Sequence, residues 1–595
     1  MGLLVIVLAR FRNSLALMVG APAAALAASA GVAVVLQALN GAAGESLERG
    51  VLGSGIALIL AAVLPLFFYV ARRRCEAVPG RSAQMFALGL LVALVGLYFY
   101  SAAVSISFPA DVLIWSESDF VNDIIKLRIG YPIYTQQQNN ESFHYTPGAQ
   151  ILTWAVTTLL GQGDSLPLYR AIQLGLTIAA AFLSVNCLHQ LLLLAGVVRS
   201  TSPLSNALVV LFLILAATNA RTNPFVHLLH NDALAQLVTV IAYWVLLKYA
   251  VSRRVRWLAA MVAIPALGFF VKQSLALWLG LYGTYLLFFD RPISLRRIFE
   301  FGIGASALLA LMIGLCYARW GEPFLYWIAV PVSHDVSPLR AIQHALDVWP
   351  YLAAGLLGGV LLIGQWQDVR LLGVWVVWIL LTAVAAYTSG IAWMLNHIGP
   401  GSLIASTWLA AGLAAAWPSL AGQAGPYRVV DWFRTAAGTG VAALALSGLG
   451  FVRVPMPPLP EDTHRYIREI EREFEGISAE DVLLDMGSWV YLKEGVVMKD
   501  RAPSFGDRGY GEVGDFSAMI TRLRERRYAK LIVRNLHSDD FWYDHGLWRR
   551  SSGIRQAILD NYEEIRAIEP VDWQIGTRMP PYGFTRASVL VPKAR

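Results

Sequence analysis

Apolar runs broken by short polar stretches organise the first three quarters of the chain. They fall at roughly 15–38, 55–71, 83–107, 170–197, 205–219, 233–250, 256–272, 274–289, 299–318, 350–365, 371–388, 400–418 and 436–451. About 20 apolar residues make a helix that crosses a bilayer. The pattern therefore predicts an α-helical polytopic membrane protein with about 13 transmembrane helices. From about 455 the pattern changes. "VPMPPLPEDTHRYIREIEREFEG" reads as a proline-rich exit and a charged helix, "DVLLDM" and "AKLIVRNL" as strands, "SGIRQAILDNYEEIRAI" as an amphipathic helix, and "RASVLVPKAR" as a terminal strand. The expected organisation is a transmembrane domain over 1–454, with a long loop at 108–169, and a soluble α/β domain over 455–595.

Basic residues give the expected orientation. With the N-terminus in the cytoplasm, one side holds 17 of them: Arg10, Arg12, the "ARRRCEAVPGR", "KYAVSRRVR" and "RPISLRR" loops, Arg199, Arg370, Arg428 and Arg434. The other side holds eight: Arg49, Lys126, Arg128, Arg170, Arg221, Lys272, Arg319 and Arg340. Cytoplasmic loops carry the excess. The loop 108–169 and, by the odd number of spans, the domain from 455 are then expected on the outer, periplasmic or extracellular side. "ALAASA" looks like a signal-peptidase site, but the apolar run continues past it, so an uncleaved first span is expected.

The 595 residues are 56% hydrophobic and 15% charged, against roughly 25% charged in soluble domains. The net charge of +7 reflects loops at the membrane rather than a nucleic-acid surface. Three cysteines, Cys75, Cys187 and Cys316, define neither a disulfide framework nor a cysteine metal site. No Walker A motif or dinucleotide fingerprint is present.

The stretch "WSESDFVNDIIKLRIGYPIY", residues 115–134, spends five charges in twelve positions just after an apolar run. Read as a helix, it puts Phe120, Ile124 and Leu127 on one face, with Asp119 and Asp123 one turn apart beside it. Such a helix would lie along the membrane surface, and Gly130 would end it. The apolar part of "FHYTPGAQILTWAVTTLLG", 149–160, is too short to span and reads as re-entrant or juxtamembrane.

This order resembles the first outer loop of the GT-C superfamily of glycosyltransferases: a span, an outward acidic motif, an amphipathic helix ending in "G-x-P-x-Y", then "Y-x-P" and a short apolar helix. Bacterial relatives of the protein O-mannosyltransferases, the aminoarabinose transferases and the actinobacterial mannosyl- and arabinosyltransferases share that plan. The resemblance implies a sugar taken from a polyprenyl-phosphate donor on the outer face, with an Asp of this loop as catalytic base. By position that role falls on Asp119, with Glu117 as the alternative, because Glu-Ser-Asp stands here where many relatives carry adjacent Asp-Glu. "PFVHLLHNDALAQLVTV" resembles the second acidic position through Asn231 and Asp232. "GFFVKQSLALWLG" places Lys272 at an outer turn, and "GIAWMLNHIGPGSLIA" resembles a late motif through Asn396 and His397. The two spans before the acidic loop's own helix depart from the family.

The residue types suit the chemistry. A carboxylate can take the acceptor hydroxyl's proton, and cations can stabilise charge growing on a phosphate leaving group. Lys272, Arg221, Arg340 and His397 lie on the expected side, with Asn396, Tyr145 and His334 as further substrate-binding candidates. Each has a plainer reading: Asp119 and Glu117 as a solvated acidic loop, Asp232 as a helix cap, Lys272 as a snorkelling side chain. His227, His230 and Asp232 form an H-x-x-H-x-D cluster that could bind a divalent metal, or two histidines that pack. The motifs leave metal dependence open, with a divalent metal as the candidate cofactor and a polyprenyl-phosphate sugar as the donor substrate. The expected protein is a glycosyltransferase, an inverting hexosyl- or pentosyltransferase, in a bacterial inner membrane. Its expected partners are a lipid-linked sugar donor and a glycan, lipid or protein acceptor. The reading from another class is a transporter or flippase, which should carry paired charges in mid-helix and interrupted helices. A third is an inactive scaffold.

Overall fold

The structure is a computed structural model that describes residues 80–114, 116–197, 203–219, 222–329, 337–362, 368–389, 395–416, 459–500, 514–537, 552–572 and 582–594. The spans expected at 15–38, 55–71 and 436–451 lie outside the described residues. The chain divides into two compact units, Met1–Leu91 with Trp417–Arg453, and Val92–Ala416 with Val454–Arg595. The second unit carries the acidic loop and the C-terminal residues.

The other expected apolar runs are all helical. They correspond to α1 (Gly80–Ser107), α4 (Leu166–Leu194), α5 (Pro203–Ala217), α6 (Asp232–Ser252), α7 (Val255–Val271), α8 (Trp278–Phe288), α9 (Leu295–Trp320), α12 (Trp349–Leu361), α13 (Val369–Thr388) and α14 (Gly399–Ala416). Between them lie α2 (Glu117–Ile129), α3 (Gly148–Leu159), α10 (Glu322–Ala329) and α11 (Pro338–Asp347). Five helices among the described residues are long and apolar enough to cross a membrane: α4, α6, α9, α13 and Asn396–Ala415. The expected number of 13 exceeds what the described residues show.

Lipid-facing and inward faces are distinct. Along α9, Phe299, Ile303, Leu311 and Leu315 are exposed, an apolar stripe at multiples of four residues that only hydrocarbon would cover without cost. The spans that pack inside carry buried polar side chains instead. On α4 these include Arg170, Gln173, Thr177 and Ser184, and their donors find partners nearby. Gln173 donates to Thr153 Oγ1 (3.1 Å) and Thr177 to the Val226 carbonyl (3.1 Å).

The C-terminal residues form α15 (Glu461–Arg472), β1 (Val482–Leu484), α16 (Trp489–Glu494), α17 (Ser517–Arg524), β2 (Lys530–Arg534), α18 (Ile554–Asn561), β3 (Tyr562–Ile568) and β4 (Ala587–Pro592). The sheet order is β1-β2-β4-β3, with β1 and β2 parallel and the other pairs antiparallel. The structure corrects one expectation. The stretch read as one helix is a helix only to Asn561, and "YEEIRAI" is an edge strand. Its charges are placed by cross-strand and neighbouring partners, Glu564 with Arg586 and Arg566 with Glu473, which a helical reading of the sequence does not anticipate.

The C-terminal residues also share a core with the loop before α3. Phe108, Val112, Phe120, Val121, Ile124 and Phe143 pack in one cluster with Tyr466, Ile470, Met486, Trp489, Met498 and Val589. α2 therefore keeps no long face in water. Its residues from Glu117 to Lys126 are all buried, because the C-terminal residues cover the side the spans leave open. Gly130 ends it as expected, in the left-handed region (φ 74°) with its N–H bonded to the Lys126 carbonyl.

Candidate active site

The geometry begins with α2, because its first turn carries both candidate carboxylates. Glu117 is gripped by Arg170 of α4, Nε to Oε1 at 2.8 Å and Nη2 to Oε2 at 2.7 Å, and also accepts the Leu229 N–H at 3.0 Å. Arg170 sends its remaining N–H groups to the carbonyls of Ser105 (3.0 Å), Phe108 (2.6 Å) and Ala110 (2.6 Å). A guanidinium has five N–H donors in a fixed fork, and here all are used. Glu117 is thus committed to holding the entry of α2 against α4. From the sequence, Arg170 counts only as an outer positive charge. The missed signal is the arginine's place near the start of a long apolar helix, where a cation is costly unless paired.

Asp119 lies in the same turn, fully buried. Its neighbour Phe120 packs against Phe143 (5.3 Å), the Tyr145 ring (6.0 Å, stacked) and His230 (5.1 Å). One turn on, Asp123 is bonded by Lys126 and Gln150, both at 3.2 Å. Lys126 also donates to the Ile133 carbonyl at 3.0 Å and to the Glu141 carbonyl.

A second carboxylate gathers residues from three separate stretches. Asp232, the first residue of α6, accepts Lys272 Nζ at 2.8 Å and Asn396 Nδ2 at 2.8 Å, and its Oδ2 lies 3.1 Å from His230 Nδ1. Lys272 caps α7 in an extended conformation, and Asn396 sits in the turn Leu395–Ile398 that opens α14. The plain cap reading fails locally. Asn231 occupies the cap position of α6 without a side-chain cap bond, and the Asp232 carboxylate turns to Lys272 and Asn396 instead. Tyr145 closes the group, with Lys272 Nζ 5.4 Å from its ring centroid and His230 5.7 Å away ring to ring. Lys272 is at the end of a helix and Asp232 at the start of one, so the buried pair is not a mid-helix pair.

The histidines separate. His230 belongs to the Asp232 group. His227 turns to Tyr98, its Nδ1 3.4 Å from the hydroxyl, and burial, with the Arg170 charge second, pushes it down to about 4. Among the described residues no group of three or more His, Cys, Asp and Glu side chains could hold a metal ion. His397 is half-buried beside Asn396. Arg340 is half-buried on α11, its N–H capped by Ser337 Oγ at 3.3 Å. Arg221 and His334 lie outside the described residues.

No protein-family model matches the chain, and no curated protein matches it. Among solved structures, it is similar to the Archaeoglobus fulgidus oligosaccharyltransferase in the apo form, at 11% identity over 86% of this chain and 76% of that one, with a TM-score of 0.44. It is also similar to ArnT from Cupriavidus metallidurans. In the apo state the identity is 14% over 84% of this chain and 97% of that one, TM-score 0.45. With undecaprenyl phosphate bound the values are 13%, 84%, 98% and 0.45.

Proposed function

We propose that the chain is a membrane glycosyltransferase that moves a sugar from a polyprenyl-phosphate donor to an acceptor hydroxyl on the outer face. The observation that carries this reading is the junction of Asp232, Lys272 and Asn396. Three helix ends, far apart in sequence, deliver a buried cation and its fixed counter-ion against the Tyr145 ring. The stacked contact between Phe120 and Tyr145 then links that group to the turn that holds Asp119.

In this reading Asp119 takes the acceptor proton as the new bond forms between acceptor oxygen and sugar carbon. The bond from that carbon to phosphate oxygen breaks with inversion, and the lipid phosphate leaves with its negative charge. Lys272 meets that charge. An ammonium has three N–H donors, and Asp232 accepts one, so the ion pair fixes the cation while leaving it donors to offer. Asn396, His397, Tyr145 and Arg340 are assigned to substrate binding, and Glu117 holds α2 in place through Arg170. The purified chain in lipid nanodiscs, given a panel of radiolabelled polyprenyl-phosphate sugars and an envelope extract as acceptor, should release polyprenyl phosphate and label the extract. Failure of every donor to turn over, with bound donor demonstrated, would end the reading.

A further inference from the structure

The C-terminal residues touch α2 at the turn that carries Asp119, and they do so with hydrogen bonds rather than apolar packing alone. Asn122 reads the backbone of Met498 in both directions: its Oδ1 accepts the Met498 N–H at 2.9 Å, and its Nδ2 donates to the Met498 carbonyl at 3.1 Å. Ser488 Oγ donates to the carbonyl of Ser118 at 2.7 Å. Just before α2, the Asp111 carboxylate accepts the backbone N–H of Ser488 at 2.8 Å and of Trp489 at 3.1 Å. Gly487 makes the approach feasible. Its φ is 117°, and a Cβ there would collide with the Trp489 ring and press on Val112. All of these groups are buried, so each bond is made where its loss leaves an unsatisfied polar group.

We propose that the segment Gly487–Met498 is a clasp that positions the Asp119 carboxylate, making the C-terminal domain a working part of the catalytic centre. This rests on Asp119 being the base. Asp119 is bracketed on both sides along its helix. Two residues before it, Glu117 is fixed to the membrane spans through Arg170. One residue before it and three after it, Ser118 and Asn122 are fixed to the clasp. A reacting group displaced by about 1 Å can lose on the order of 10²-fold in rate, which is the tolerance such bracketing serves. On the clasp side most partners are backbone atoms, so the specificity resides in Asn122, Asp111 and Ser488.

The test uses the full chain in nanodiscs with Asn122→Ala, which removes both bonds to Met498 and favours the helix by propensity. Ile558→Ala serves as a control that shortens a buried side chain elsewhere in the C-terminal domain. Amide exchange over 117–129 should quicken by about tenfold or more in Asn122→Ala, as expected for two lost buried hydrogen bonds, and stay unchanged in the control. Turnover at saturating donor should fall by about 10–100-fold while the KM for donor stays within about twofold of wild type, since the cation group is untouched. Unchanged exchange in Asn122→Ala, or equal quickening and equal loss of turnover in the control, would overturn the clasp. Asp119→Asn in the same assay separates the two ideas. Retained turnover there removes the base, whereas the exchange data judge the clasp whatever that variant does.

Discussion

Arg170 and Glu117 share two parallel hydrogen bonds, 2.8 and 2.7 Å long, with both side chains wholly removed from solvent. One sits on a membrane span and the other opens the helix that carries Asp119. The two carboxylates of the Glu-Ser-Asp motif are thus chemically unequal although they are two residues apart.

That inequality predicts two different failures. Asp119→Asn keeps shape and should lower transfer by about 10²–10⁴-fold, the usual worth of a general base, with donor binding and melting temperature near wild type. Glu117→Gln leaves the Arg170 charge buried without its counter-ion. Breaking a buried pair costs about 3–5 kcal/mol, so its first symptom should be lost thermal stability. A stable, inactive Glu117→Gln beside an active Asp119→Asn would exchange the roles.

The cation group makes a prediction about affinity. Lys272→Ala removes the ammonium and should raise the donor KM by about tenfold or more, as expected for one charge-assisted contact of about 1.5–3 kcal/mol. It also strands Asp232, so the double variant with Asp232→Asn is the fair comparison for folding. Recovery of stability in the double variant, without recovery of donor affinity, is the expected outcome. Normal donor binding by stable Lys272→Ala protein would reduce this lysine to an interfacial side chain.

Orientation can be checked without any substrate. The basic-residue asymmetry together with an odd number of spans predicts residue 595 outside the cytoplasm, so alkaline phosphatase fused after Arg595 should be active. Activity from a cytoplasm-only reporter at that position would reverse the side assigned to the whole site.

Asp111 gives a pH test. Burial, with the charge of Glu117 second, pushes its carboxyl up to about 7, against the pull of the Ser488 and Trp489 N–H groups. The folded state therefore keeps this proton to higher pH than the unfolded chain, whose carboxyl ionises near about 4. Its contribution to stability is fully present below that value and is lost as pH rises through about 7, at up to about 1.4 kcal/mol per pH unit. Asp111→Asn removes the titration. Melting temperatures of wild type and variant taken from pH 5 to pH 8 should converge or cross, and parallel curves would show that Asp111 does not titrate there.

The helices were legible because lipid demands long apolar runs, and Gly130 was legible because a left-handed cap favours glycine. Asp232, Lys272 and Asn396 stand out in the sequence only as separate motifs at the ends of apolar runs, and that the three meet is not legible there. Arg170 was missed as a partner of Glu117 because the two are 53 positions apart and no local period joins them. The covering of α2 was missed for the same reason. A periodicity argument counts Phe120, Ile124 and Leu127 as the apolar face and allows Asp123 to pair with Lys126, as it does at 3.2 Å, but it supplies no partner for Asn122 and no further one for Lys126. Their actual partners include backbone atoms of distant segments, which the pattern of side chains does not encode. The strand Tyr562–Ile568 was missed because its charges, at helix-like spacing, outweighed a weak alternation.

Asn122 and Met498 are 376 positions apart. During synthesis at about 5–20 residues per second, the helix that holds Asp119 emerges roughly 20–75 s before the backbone that completes its hydrogen bonds is made. Through that interval Asn122 can be satisfied only by water or by a holding partner, and the turn remains open to exchange. A ribosome that stops before Met498 leaves a chain in which Asn122 lacks both of these bonds. On the proposed clasp, a chain that lacks this segment would therefore be silent without any separate inhibitor.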